Sequence, residues 1–309
     1  MSPPVPFLQR AVGGATANPQ GMVWMMLAGL SVVAITGIVR HVSIGMDPMQ
    51  AAFLRYLFGL IFFAPFLMRM RLGSRAPGHL ALHGLRGLVH GLAVLCWFIA
   101  MSRLPVAEVT ALAFTVPVFV TVGAILLLGE RVRLRRIGAV CMGFAGTLLI
   151  LRPGVEAIDV GAIAMLIAAP LFAVSRIIGK VLTRRDSTPT IVASLAVVVT
   201  VVLLPPAIAV WQPPTLAAYG WLLLTAALAT LGHLAMVQAF RAADLPVTQP
   251  VEFVQLVWAT LLGFYVFGET PDIWVWIGGG VIVGSATYIA RREARMAAVK
   301  PEARPCRPG

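Results

Sequence analysis

The feature that most constrains this chain is a series of long apolar runs separated by short polar clusters. A helix needs roughly twenty mostly apolar residues to cross about 30 Å of hydrocarbon. Ten segments of the 309-residue chain meet this requirement. Only 12% of the residues are charged and 59% are hydrophobic, which leaves too little polar surface for a water-soluble globule. The pattern therefore predicts an all-α integral membrane protein with ten transmembrane helices.

The polar clusters between the runs set the boundaries of the predicted helices. The predicted spans are residues 22–42, 49–68, 80–101, 105–128, 136–152, 159–181, 189–211, 215–240, 246–267 and 272–290. The net charge of +12 does not indicate nucleic-acid binding, because the basic residues are dispersed over loops and tails.

Lysine and arginine are distributed unequally between alternate loops. An even number of spans puts both termini on one side, where the loops and tails hold 18 of these residues. The opposite loops hold three, Arg40, Arg103 and Arg152. Because loops rich in positive charge stay in the cytosol, both termini are predicted to be cytosolic. Residues 1–20 and 292–309 are predicted to be disordered tails, the second of them basic.

No motif in the sequence indicates an enzyme, a metal site or a cofactor site. The chain has no HExxH, no phosphate-cradling GxxxxGK[ST] and no nucleophile elbow. Cys96 and Cys141 fall inside apolar runs and Cys306 lies in the tail, so no disulfide framework is expected. His79 and His83 share a helix face without a third metal ligand. A membrane-embedded enzyme is therefore a weak alternative, and an ATP-driven pump is not expected.

The two halves of the chain carry the same short motifs in the same order. Leu104-Pro105-Val106 and Leu245-Pro246-Val247 each enter a span, and Gly129-Glu130 and Gly268-Glu269 follow them. This order predicts two five-helix repeats, residues 21–152 and 158–291. Because five is odd, the second repeat enters the membrane from the opposite side. Inverted repeats of this kind are common in secondary transporters.

These residues resemble the drug/metabolite transporter superfamily in its EamA-type branch. The resemblance rests on Phe53-Leu54-Arg55-Tyr56, on the run from Leu104 to Glu130, on Leu151-Arg152-Pro153-Gly154, and on the run from Pro250 to Pro271. It implies a ten-helix basket around a central cavity, located in the cytoplasmic (inner) membrane of a bacterium and working by alternating access. The run from Pro250 to Gly268 further resembles a bacterial subgroup that includes riboflavin and S-adenosylmethionine carriers.

Charged residues inside the spans are the first candidates for the solute site, because a charge in hydrocarbon is costly unless it is paired or hydrated. Arg55 and Arg86 lie inside spans and are predicted to line the cavity, although each is near enough to a membrane surface to be an interfacial anchor. Arg176 lies closer to the cytosolic end, which favours an anchor. Glu108 and Glu252 are the predicted proton-coupling residues, and Glu252 is also predicted to line the cavity. Helix-start charges that favour the helix dipole are the alternative.

Aromatic, imidazole and amide side chains complete the predicted cavity. Such groups suit an amphipathic organic solute, although tryptophan in a membrane helix also packs or marks the interface. The residues are His90, Trp97, His233, Gln238, Gln255 and Trp258.

The sequence thus predicts a secondary active transporter that is driven by proton coupling or exchange. The solute is expected to contact Arg55 or Arg86 through any anionic group and Trp97 or Trp258 through its apolar part. A passive facilitator or channel is the main alternative. The expected partners are a small organic solute and the lipid bilayer. Gly280 and Gly284 form a GxxxG that serves either internal packing or a homodimer.

Overall fold

A computed structural model describes residues 19–69, 77–128, 134–151, 158–183, 186–242 and 254–299. Across these ranges the secondary structure is entirely helical. The helices are α1 (Pro19–Val42), α2 (Pro48–Arg69), α3 (Pro77–Arg103), α4 (Val106–Ala113), α5 (Thr115–Leu128), α6 (Leu134–Leu151), α7 (Val160–Leu182), α8 (Thr188–Ala209), α9 (Leu216–Ala242), α10 (Val254–Phe267) and α11 (Ile273–Val299).

The described helices fall into two groups by the length of their apolar stretch. Five are long and apolar enough to cross a membrane: Gln20–Val42, Leu80–Arg103, Val160–Leu182, Thr188–Ala209 and Leu216–Ala239. Shorter apolar stretches cover Pro48–Ala64, Val106–Val120, Cys141–Ile150, Val254–Phe267 and Ile273–Ser285. These stretches all lie in segments for which the sequence predicts spans.

Large apolar side chains cover much of the outer surface. On α8, Val197, Val201, Leu204 and Ile208 are all exposed and recur at helical spacing along one face. Such a face has no energetic reason to point into water, but it fits lipid. The interior, by contrast, contains buried arginine, histidine, threonine and serine side chains as well as apolar ones. An apolar outer surface with some polar groups inside is typical of a membrane protein.

Local capping residues explain where several helices begin and end. The Asp159 carboxylate accepts a hydrogen bond from the backbone N–H of Gly161 at 2.6 Å, which fixes the start of α7. Ser187 caps α8 in the same way through the N–H of Thr190. Helix α10 ends at Gly268, whose φ of +66° suits glycine, and the Gly268 N–H donates to the carbonyl of Phe264.

Two elements differ from the sequence expectation. The span predicted at 105–128 is divided into α4 and α5 at Phe114. Pro117 lies three residues beyond this break and has no N–H with which to continue the hydrogen-bond ladder across it. Helix α11 continues past Arg292 to Val299, into the predicted disordered tail. The residues beyond Arg292, EARMAAV, are mostly strong helix formers.

The principal packing partner of each helix lies in the other half of the chain. Helix α1 packs most extensively on α9, α3 on α7, α2 on α8 and α6 on α11, and α4 packs on α10. The packing of the two halves is reciprocal, since the first helix of each half packs on the third helix of the other half. The two halves therefore form a single interlocked bundle.

Glycine allows the closest of these approaches. A Cβ on Gly278 of α11 would lie 2.5 Å from the carbonyl oxygen of Gly146 on α6. The two backbones therefore touch at a point where no side chain fits. Gly280 and Gly284 face open space instead, so the α6–α11 contact uses a different glycine from the GxxxG identified in the sequence.

Candidate functional site

Four polar side chains from four helices meet in the interior of the bundle. His90 on α3 is 7% exposed and has a hydrogen-bond partner at each ring nitrogen. Its Nδ1 lies 3.0 Å from the Ser175 hydroxyl on α7, and its Nε2 lies 3.1 Å from the Tyr56 hydroxyl on α2. The ring of His233 on α9 lies edge-on to His90, with the ring centroids 5.5 Å apart. These residues, Tyr56, His90, Ser175 and His233, are called the central cluster.

The hydrogen bonding of His233 leaves one ring nitrogen available. Its Nδ1 donates to the backbone carbonyl of Ala229 at 2.9 Å, which in a neutral ring leaves Nε2 as an acceptor. His233 is partly exposed, and it lines a cavity between α2, α8 and α9. A group that donates a hydrogen bond could therefore bind at this nitrogen.

The cavity next to the central cluster is small. The space that the centre of a water molecule can occupy is about 20 Å³. A drug-sized organic ligand needs roughly 300 Å³ or more. The helices must therefore separate before this region can hold a metabolite. The lining residues are Arg55, Tyr56, Gly59, Phe63, Val192, Leu195, Ala196, Ala226, Ala229, Thr230 and His233.

The structure places both predicted arginines in the interior. Arg55 is 5% exposed, and its guanidinium carbon lies 3.8 Å from the centroid of the Tyr56 ring. Arg86 is 2% exposed, and its Nη1 donates to the carbonyl of Ile191 on α8 at 3.2 Å. The Nε atoms of both residues are buried without a hydrogen-bond partner.

An aromatic row connects the central cluster to Trp97. The Phe172 ring on α7 lies 5.3 Å from His90 and 6.2 Å from Trp97, edge-on in both cases. Trp97 itself is half-buried. The sequence did not predict Tyr56, Phe172 or Ser175 as site residues, because a hydroxyl or aromatic side chain within an apolar run gives the same signal as ordinary packing.

The structure describes four of the remaining predicted residues, none of which is a member of the central cluster as defined above. Gln255 is half-buried on α10, close against Gly29 of α1, and Trp258 is 44% exposed. Gln238 is exposed near the end of α9, where the Thr188 hydroxyl donates to its Oε1 at 3.5 Å. Glu108 is half-buried in the first turn of α4. Glu252 lies outside the described residues.

Polar contacts at one end of the bundle join the two halves. Arg40 at the end of α1 pairs with Glu269 at 3.2 Å, and the other oxygen of Glu269 accepts from the Val106 N–H at 2.8 Å. Gln50 donates to the carbonyl of Gln212 and accepts from its N–H. We call this the Arg40 end. A cavity of about 330 Å³ opens beside the ion pair. The sequence counted Arg40 only as a loop charge.

A second set of polar contacts joins the halves at the opposite end of α3. His83 Nε2 lies 3.0 Å from the Asp186 carboxylate, and His83 Nδ1 lies 2.7 Å from the Ser194 hydroxyl. Arg241 donates to the backbone carbonyl of Asp186. We call this the His83 end. The Arg40 end contacts Met101, which at 1.5 Å per residue is about 27 Å along α3 from His83.

In the part of the chain that the structure describes, no three histidine, cysteine, aspartate or glutamate side chains are close enough together to hold a metal ion.

Two protein relatives and one solved structure resemble this chain over nearly its full length. A riboflavin transporter of Rhizobium johnstonii is 31% identical over 278 residues, which cover 89% of this chain and 92% of that protein. An S-adenosylmethionine uptake transporter of Rickettsia bellii is 26% identical over 275 residues, covering 89% and 94%. A solved crystal structure matches with a TM-score of 0.59 and 20% identity, over 89% of this chain and 99% of that one, which extends the likeness to the fold.

The model of the EamA-like transporter family matches the chain twice, over residues 19–152 and 159–291. The two matches together cover most of the chain, and they confirm the resemblance seen in the sequence motifs. The apolar helices agree with a multi-pass membrane protein. The chain therefore belongs to the EamA-like transporter family.

Proposed function

We propose that this protein is a secondary active transporter that carries a small organic metabolite across the bacterial cytoplasmic membrane by alternating access. The chain crosses the membrane ten times, as two inverted five-helix repeats with both termini in the cytosol. Loop charge supports this orientation, and the reciprocal packing of the halves is what a two-fold relation between them would produce. The Arg40 end then faces outward and the His83 end faces the cytosol.

The observation that carries this proposal is the composition of the central cluster. Tyr56 and His90 come from the first half, whereas Ser175 and His233 come from the second. A site built from both halves changes shape whenever one half moves against the other. This is the property that a transporter needs in order to expose one site to either side in turn.

The contacts at the two ends support alternating access. Each end joins the halves through hydrogen-bonded or charged pairs, Arg40 with Glu269 and His83 with Asp186. The ends lie far enough apart that one can open while the other stays closed. The central cavity of about 20 Å³ is too small for a metabolite, so in this proposal the helices move apart around it when solute enters.

The solute binds beside the central cluster in this proposal. His90 and His233 supply hydrogen bonds to the solute, and Arg55 and Arg86 lie beside them. Phe172 and Trp97 form an aromatic surface next to His90. The other residues proposed to line the cavity are Gln238 on α9, Gln255 and Trp258 on α10, and Glu252, which precedes α10 in the sequence. Proton coupling, where present, uses Glu108 or Glu252.

The relatives suggest which solutes to test first. Riboflavin and S-adenosylmethionine, named in the two relatives, are both flat-ringed metabolites that an aromatic and hydrogen-bonding site can hold. We propose that the cargo of this protein is a metabolite of comparable size.

Uptake of radiolabelled riboflavin and S-adenosylmethionine into proteoliposomes, with and without an imposed pH gradient, tests the proposal. His90→Phe removes both hydrogen bonds of the imidazole, so we expect uptake to fall about tenfold or more. Cys141→Ala, on an exposed position of α6, is the matched control and should transport normally.

Three other outcomes would contradict parts of the proposal. Equal uptake by His90→Phe and Cys141→Ala would remove the central cluster from the solute site. A solute flux that does not depend on the pH gradient, and that solute on the opposite side of the membrane does not accelerate, would favour a passive facilitator. Chemical conversion of the solute would favour a membrane-embedded enzyme.

A further inference from the structure

Two buried guanidinium groups lie next to the central cluster. Arg55 and Arg86 are 5% and 2% exposed, respectively. The Arg55 guanidinium lies 3.8 Å from the Tyr56 ring, and the Tyr56 hydroxyl lies 3.1 Å from His90. His90 follows Arg86 by about one turn on the same face of α3, so both guanidinium groups lie in the same small region of the interior. That region contains groups from both halves of the chain.

Neither guanidinium has an anionic partner in the described part of the chain. The ion pairs found there are Arg40 with Glu269 and His83 with Asp186, and neither involves these arginines. Arg55 stacks on a neutral ring, and Arg86 donates to a backbone carbonyl. One N–H of each guanidinium, at Nε, is buried without an acceptor.

Glycine lets the second half of the chain approach the Arg86 guanidinium closely. Gly179 on α7 faces this group, and a Cβ there would lie 3.2 Å from both Nε and Nη2. An alanine would therefore press on the guanidinium from the opposite half. Gly59 on α2 lines the central cavity beside Arg55, and it has no side chain that would fill that cavity.

An uncompensated buried charge lowers the stability of a protein, and a buried donor without an acceptor lowers it further. Stability alone would favour apolar side chains at both positions. A group that completes the missing interactions would remove both costs when it binds. Arginine donates pairs of parallel hydrogen bonds that match the oxygens of carboxylates and phosphates.

We propose that the transported solute is an organic anion whose carboxylate or phosphate binds between Arg55 and Arg86. This inference rests on the proposed transport function and adds the chemical class of the cargo. The acidic group occupies the arginines, while the ring system of the solute lies toward Phe172 and Trp97. The anion then lies at the boundary between the halves, since both arginines belong to the first half and His233 to the second.

The first test measures stability without any added anion. The protein is unfolded in detergent and chloride buffer. If the two arginines bind the solute and do not stabilise the fold, Arg55→Met and Arg86→Met should unfold at the same temperature as the wild-type protein or at a higher one. A structural role predicts the opposite sign, because methionine cannot replace the bond to Ile191. A lower unfolding temperature for both variants would overturn the proposal.

The second test adds inorganic phosphate at constant ionic strength, with chloride as the reference anion. A ligand that binds only the folded protein raises its apparent unfolding temperature. We expect a saturable rise in the wild-type protein that disappears in Arg55→Gln and in Arg86→Gln. Arg103→Gln, at an exposed position of α3, is the matched control and should behave as the wild type. An equal rise in all four proteins, or none in any, would overturn the proposal.

A matched pair of flavins separates this inference from the transport function. Riboflavin has no strongly acidic group, and riboflavin 5′-phosphate adds a phosphate to the same ring system. Stronger competition by the phosphate ester for any transported solute supports the anion site. Transport that riboflavin inhibits equally well, and that Arg55→Gln and Arg86→Gln leave intact, overturns the anion site while preserving the proposed transport. Absence of transport for every solute overturns the proposed function instead.

Discussion

At the scale of single residues, His90 links three helices through the two nitrogens of its ring. A neutral imidazole donates from one nitrogen and accepts at the other. Both nitrogens of His90 face hydroxyl groups, and a hydroxyl can donate or accept. The two hydrogen bonds can therefore reverse direction together when the proton moves from one ring nitrogen to the other.

Tyr56→Phe tests how much this network contributes to stability. The substitution keeps the ring and removes the hydroxyl, which leaves Nε2 of His90 buried without its partner. We expect the free energy of unfolding to fall by about 1–3 kcal/mol. Thermal unfolding in detergent measures it, with Tyr265→Phe as the control because Tyr265 is 77% exposed. Equal losses in both variants would contradict the network.

The sequence predicted part of this site and missed the rest for an identifiable reason. Arg55, Arg86 and His90 stood out because charged and imidazole groups are rare in apolar spans. Ser175 and Tyr56 became visible only through their contacts with His90, which join positions 85 and 34 residues apart. Pairing over such separations depends on how helices pack, and no local pattern contains that information.

At the scale of helices, hydropathy was a good guide because lipid requires each span to satisfy its own backbone hydrogen bonds. The bounds of α1, α7 and α8 lie close to those predicted from the apolar runs. The division of α4 from α5 and the extension of α11 depend on a single proline and on helix propensity. Averaging hydropathy over a whole span detects neither the effect of one proline nor the helix propensity of polar residues.

Gly278→Ala tests the close contact between α6 and α11. The added methyl group would meet the carbonyl oxygen of Gly146 at 2.5 Å, so the helices must separate. We expect a loss of about 1–3 kcal/mol in the free energy of unfolding, the usual cost of overpacking. Gly280→Ala is the control, since it points into open space and should be neutral or stabilising by up to about 1 kcal/mol. Equal effects of the two substitutions would contradict the contact.

At the scale of the whole molecule, the Arg40 end is expected to open and close during transport. Glu269→Gln removes the ion pair with Arg40 while leaving an oxygen to accept from Val106. We expect Ser43→Cys, beside this pair, to react faster with a membrane-impermeant thiol reagent in the Glu269→Gln background. The measurement uses a chain without its three native cysteines, and Arg103→Gln is the control at the same end. An unchanged rate would argue against this pair as a closing contact.

The orientation of the chain can be tested with a native cysteine. Cys306 lies in the C-terminal tail, which loop charge assigns to the cytosol. We expect the impermeant reagent to label Cys306 only after the membrane is permeabilised. Ile44→Cys, in a chain that lacks the native cysteines, should be labelled in intact cells because Ile44 is 82% exposed at the Arg40 end. The reverse pattern would invert the proposed topology.

The reciprocal packing of the two halves also has a consequence for biosynthesis. At about 5–20 residues per second, the ribosome needs on the order of ten seconds to make the second half after the first. During that time α1, α2 and α3 lack the helices on which they chiefly pack. Arg55, Tyr56 and Arg86 must meanwhile face lipid, the translocation machinery or one another. The bundle therefore assembles late, and its early intermediates are the stage at which chaperones and membrane proteases would act on it.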